Sequence, residues 1–156
     1  MAKISLNLLL IKEKRIYMKR GFEDKFMDLQ SGLISLCLEV TENKVDKIFA
    51  YASIEKDGLM FNAFFKMNNK VETLNTLGID KTLRREFLET GTLDLVKLKD
   101  LCLEYDTPIP TEMKMYYDVK TGKYDAKYQY TPICIGESGI SARQIFIDWQ
   151  EEIRNR

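Results

Sequence analysis

The sequence predicts an α+β fold: one domain whose antiparallel sheet, built from two β-hairpins, packs against N-terminal, central and C-terminal helices. Three observations predict it. Two pairs of short apolar and aromatic runs are each joined by a turn that contains glycine. Three longer stretches carry apolar residues at three- and four-residue steps. The strands come as hairpins and do not alternate singly with helices, which argues against a parallel α/β sheet.

The first helix is expected over 22–41. Phe22, Phe26, Leu29, Leu33, Leu36, Cys37 and Val40 form its apolar stripe, and Glu23, Asp24, Lys25 and Asp28 its wet face. Asn43 and Lys44 close it. The first hairpin pairs Ile48–Ile54 with Leu59–Phe65 across Glu55-Lys56-Asp57-Gly58, where Asp-Gly suits a tight turn. Asn68-Asn69-Lys70 forms a further turn. Residues 80–105 read as two helical pieces. Asp80 is the N-cap of the first and Gly91-Thr92 the break. Leu95, Leu98, Leu101, Cys102 and Tyr105 form one face of the second, which ends at Asp106-Thr107-Pro108.

The second hairpin is the most regular pattern. Met113, Met115, Tyr117 and Val119 alternate with Lys114, Tyr116, Asp118 and Lys120, and the pattern resumes after Thr121-Gly122. One apolar and one wet face are expected, as in a sheet covered on a single side. After a loop with Pro132, Gly136 and Gly139, Ser141 and Gln144 have capping-box spacing. Ile145, Phe146, Trp149 and Ile153 give the last helix its stripe.

The chain has 156 residues, 45% hydrophobic and 31% charged, enough for a real core. Its 24 basic and 24 acidic residues cancel. Residues 1–20 read as an N-terminal extension of the domain at 21–156, either loosely ordered or absent from the native chain if Met18 is the natural start. Residues 1–17 hold four of the basic residues (Lys3, Lys12, Lys14, Arg15) and one acidic (Glu13), so the rest is mildly acidic. The apolar run Leu6–Ile11 is too short to span a bilayer.

Histidine is absent, which excludes Ser-His-Asp and Cys-His catalysis and histidine metal sites. Three widely spaced cysteines, Cys37, Cys102 and Cys134, make neither a disulfide framework nor a zinc pattern and suit a reducing, cytoplasmic setting. Gly136-Glu137-Ser138-Gly139 lacks the Gly-Lys-Ser/Thr of a phosphate loop. No metal or cofactor is expected. Asp118 and Asp125 face out of the second hairpin near one another; they suit acid–base work or a divalent ion, or simply pair with Lys120, Lys123 and Lys127. Glu104, Asp106 and Glu112 form an acidic patch at the helix-to-hairpin turn. Tyr116 stands on the wet phase, where an outward tyrosine among charges anchors a protein interface.

Several stretches resemble the YezG-like immunity proteins, a family of small bacterial antitoxins. They are the amphipathic helix with the hairpin Tyr51-Ala52-Ser53-Ile54 to Phe61-Asn62-Ala63-Phe64-Phe65, the turn and strand Thr121-Gly122-Lys123-Tyr124-Asp125-Ala126-Lys127-Tyr128, and Ala142-Arg143-Gln144-Ile145-Phe146. The resemblance covers about residues 22–153. This chain departs from it in Pro110-Thr111-Glu112, where the family usually has a tryptophan, and in Asp148-Trp149-Gln150. The resemblance implies a non-enzymatic protein that occludes the active site of a cognate secreted toxin, often a nuclease. It touches neither nucleic acid nor membrane directly. The residues expected to meet the toxin are Tyr116, Asp118 and Asp125, with Glu104, Asp106, Glu137 and Arg143; Arg143 also reads as a structural partner of a carboxylate. Competing readings are an adaptor subunit and a small carboxylate-based enzyme.

Overall fold

The computed structural model describes the backbone of residues 2–56, 58–133 and 140–156, and within them the side chains from residue 21 onward. The elements are α1 (Ala2–Val40), β1 (Lys47–Glu55), β2 (Gly58–Met67), β3 (Lys70–Thr73), α2 (Lys81–Glu104), β4 (Glu112–Asp118), β5 (Tyr124–Gln129) and α3 (Ala142–Arg154). The strands form one antiparallel sheet in the order β3-β2-β1-β4-β5. The fold is α+β, as the hairpin pattern predicts.

Both predicted hairpins form. Glu55 pairs with Gly58, which closes the first hairpin just after Lys56; Asp57 lies outside the described residues. Asn68 and Asn69 take left-handed backbone (φ 53° and 64°) and reverse the chain from Met67 to Lys70. That two-residue turn leads into β3, a four-residue strand too short for its alternation to be read in sequence.

The sheet is covered on both faces. Leu33 and Cys37 of α1 and Leu95, Leu98 and Cys102 of α2 meet Ile48, Ala50, Phe65, Met113 and Met115 on one face. Phe146, Trp149 and Ile153 of α3 meet Phe49, Tyr51 and Phe64 on the other. The expectation of a single covered face is therefore corrected: β1 is buried from Ile48 to Ile54 on both phases. Glu112, grouped by sequence with an exposed acidic patch, is buried at 7% exposure, and its Oε2 accepts from Tyr51 Oη at 2.7 Å.

The helix break predicted at Gly91-Thr92 is also corrected. α2 runs unbroken through Gly91, which is buried against the Phe61 ring. Tertiary packing overrides the low helix propensity of glycine there. Asp80 caps the helix, its Oδ2 accepting from Thr82 N–H at 3.0 Å. Asp106 follows the last turn with left-handed backbone (φ 50°), and Thr107 N–H returns to the Cys102 carbonyl at 2.9 Å, so the helix stops before Pro108. Ser141 Oγ accepts from Gln144 N–H at 3.1 Å, and the Gln144 Nε2 group donates forward along the helix to Asp148 Oδ1 at 2.9 Å.

A buried polar group of α1 reaches the sheet edge. Gln30 is fully buried, and its Oε1 accepts from the hydroxyls of Tyr124 and Tyr128 on β5. Burial pushes both phenols up from their ordinary value. Cys37 and Cys102 are free, buried thiols, also raised by burial, and act as small hydrophobes. Cys134 lies outside the described residues.

Candidate functional site

Strand register assembles the site. Lys47, the first residue of β1, pairs with Lys66 on β2 and with Asp118 on β4. Two residues before Asp118, and on the same face, Tyr116 pairs with Asp125 on β5. The end of α3 delivers Ile153 and Arg156. These groups surround an open cleft of about 370 Å³, with Lys123 on its rim. Tyr116, Asp118 and Asp125, expected from sequence to share a surface, do share one.

Each has a local task. The Tyr116 ring is half-buried, edge-on to Trp149 with centroids 5.5 Å apart and to Phe49 at 5.9 Å. Burial pushes its phenol up. It is a wall of the α3 core as well as of the cleft, which corrects the picture of a tyrosine standing free among charges. Lys127 Nζ lies 5.7 Å from its ring centroid, and Lys114 Nζ 5.4 Å from that of Trp149, so the cations cap aromatic rings.

Asp118 holds the β4–β5 turn. Its Oδ1 accepts from Lys120 N–H at 3.1 Å and Thr121 N–H at 3.2 Å, and Gly122 follows at φ 73°. The Thr121 N–H, above all, holds its carboxyl below the ordinary 3.8. A depressed carboxyl stabilises the fold above the unfolded-state value and loses that effect as pH falls through the folded-state value. The native chain should therefore be more stable than Asp118→Asn at pH 7, with the gap closing below about pH 4. Urea unfolding at pH 7 and pH 3 measures this; a gap unchanged with pH would remove the charge from the account.

Asp125 is exposed on β5. The other expected residues lie elsewhere. Glu104 is exposed at the end of α2 and borders a shallow groove with Lys25, Asp28 and Lys97. Asp106 makes the left-handed turn after α2. Arg143 is exposed in the first turn of α3, at the opposite end of that helix from Ile153. Among the described residues it makes no ion pair. Glu137 lies outside the described residues.

Sequence reasoning placed Lys123 beside Asp118 and Asp125 but missed the other cations of the cleft, Lys47, Lys66 and Arg156; among the described residues that makes four against the two carboxylates. Arg156 Nη2 is 2.7 Å from Glu152 Oε1. Lys47 and Lys66 flank the ends of apolar runs 19 residues apart in number, and only register makes them neighbours. Among the described residues no three of Cys, Asp or Glu group to hold a metal ion. No helix among them is long and apolar enough to cross a membrane. No family model and no curated protein matches the chain.

Proposed function

We propose that this protein is a non-catalytic binder of the immunity type, which neutralises a cognate secreted toxin by covering its active site in the cytoplasm. The observation that carries the reading is the gathering of Tyr116, Asp118 and Asp125 into one cleft on paired strands, backed by the Trp149 core. A surface held by a sheet and by interlocked rings loses little entropy on binding, which favours tight occlusion. The reading also rests on the resemblance, and the hairpin that carries much of the likeness supplies these three side chains.

The cleft charge refines the partner. Four cations around two carboxylates suit an acidic segment, such as the carboxylate cluster with which a metal-dependent nuclease holds its ion. The cations steer that cluster in, and Asp125 meets the basic surface beside it. Asp118 is committed to its own turn, so the variant that probes the interface is Lys123→Glu with Asp125→Lys.

A tagged chain recovered from its native cell should carry one stoichiometric protein with a toxin-like C-terminal domain. That domain, expressed alone, should arrest growth, and co-expression of this chain should restore it. The charge-reversed pair should weaken the complex by about tenfold or more, read by titration calorimetry. A growth arrest that this chain does not relieve would refute the reading. A domain recovered with enzymatic substrates in place of a toxin would favour the small-enzyme alternative, and self-association alone the adaptor subunit.

A further inference from the structure

A second cleft, of about 440 Å³, opens beside the first turns of α2. We propose that it binds a phosphate-bearing small molecule, of the nucleoside diphosphate class. The proposal goes beyond toxin binding and does not depend on it.

Its charged lining is all of one sign. Among the described residues Lys81, Arg84 and Arg85 line it and no carboxylate does, in a chain with no net charge. Among the described residues none of the three forms an ion pair. The carboxylate adjacent in sequence, Asp80, is turned to the Thr82 N–H as the helix cap.

The asparagines make the lining a set of donors. Asn62 Oδ1 accepts from Ala63 N–H at 2.8 Å, and Asn75 Oδ1 from Arg84 Nη1 at 3.0 Å. Both partners are obligate donors, so the atom facing each must be the amide oxygen. That fixes both side-chain flips and leaves each Nδ2 group as a donor. Three cations and two amide groups exceed the acceptors of one carboxylate, whereas a diphosphate offers oxygens and charge to match. Leu74 and Leu88 supply an apolar wall for the rest of the ligand, and the volume lies within the range of roughly 300–1,000 Å³ usual for small-molecule sites.

Titration calorimetry of the full chain with ADP, inorganic pyrophosphate and a short oligothymidylate tests it. The expected result is saturable binding of ADP, tighter than pyrophosphate, with affinity reduced by about tenfold or more in Lys81→Gln/Arg85→Gln. Both residues are exposed, so the variant should keep the native circular dichroism; Arg85→Gln alone serves if it does not. Absence of binding by all three probes overturns the site, as does unchanged affinity in the folded variant. Tighter binding of the oligothymidylate than of ADP overturns the small-molecule source and assigns the phosphate to a nucleic-acid backbone.

Discussion

Trp149→Ala should lower the unfolding free energy by about 3–5 kcal/mol. Trp149 is 2% exposed, and its ring meets Phe64 at 5.0 Å, Tyr116 at 5.5 Å, Phe49 at 5.9 Å and Tyr51 at 6.2 Å between centroids. Beyond it, α3 sends only Phe146 and Ile153 fully into the sheet. A 13-residue helix is marginal alone in water, so α3 owes its existence to this packing. The core between α1, α2 and the other face of the sheet does not contain Trp149. The variant should therefore keep that half and lose α3 at lower denaturant. Because this is the only tryptophan, far-UV circular dichroism in urea is the readout, with Trp149→Phe as the control that retains most of the stability. A loss under about 1 kcal/mol would show that α3 does not depend on the ring. The effect reaches the cleft, since α3 carries Ile153 and is followed by Arg156.

The two halves of the fold were unequally legible. Alternation from Met113 to Asp118 and from Tyr124 to Gln129 reveals the second hairpin, because its pleat is printed directly in residue type. The same alternation misleads on Tyr116. Lys114 and Asp118 share its phase and mark it as wet, yet α3 lies over it and the lysine caps the tryptophan. The signal of a second covered face was in β1, where Ile48, Phe49, Ala50, Tyr51 and Ala52 are apolar on both phases; a central strand reads this way when both its faces are packed.

The candidate site divides along similar lines. Asp118 and Asp125 are close in sequence across one turn, so their meeting follows from hairpin geometry alone. Lys47 and Lys66 reach them only through β1 pairing on both sides, which is long-range register. Glu104 and Arg143 were joined to the group by charge and by resemblance, and neither carries positional information; the fold sets them on other faces. The donor cleft at α2 was invisible for the same reason. Its lining comes from β2, the end of β3 and the loop after it, α2 and α3, and the character of Asn62 and Asn75 depends on which donor each amide oxygen meets.

Gly91 provides a test in which two general rules predict opposite signs. By helix propensity, Gly91→Ala in the middle of α2 should stabilise by about 1 kcal/mol. By packing it should destabilise, because an added Cβ would lie 1.9, 2.4 and 2.6 Å from three carbons of the Phe61 ring. Those are overlaps that a packed core does not tolerate. The ring has little room to retreat: Phe61 is 3% exposed and tilted against Phe87 at 5.2 Å. Overpacking of this kind costs about 1–3 kcal/mol, and the rigid partner places it toward the upper end, so steric overlap wins over propensity. Gly91→Val adds two methyl groups and should cost more. Phe61→Ala, itself a loss of about 3–5 kcal/mol, removes the clashing atoms. In that background Gly91→Ala should turn neutral or stabilising, as only the propensity term remains. Urea denaturation of the two single variants and the double variant closes the cycle, with an expected coupling above about 1 kcal/mol. Additive losses would mean that α2 does not pass this close to β2, and that the unbroken helix through Gly91 rests on something other than the fit of a bare backbone against an aromatic face.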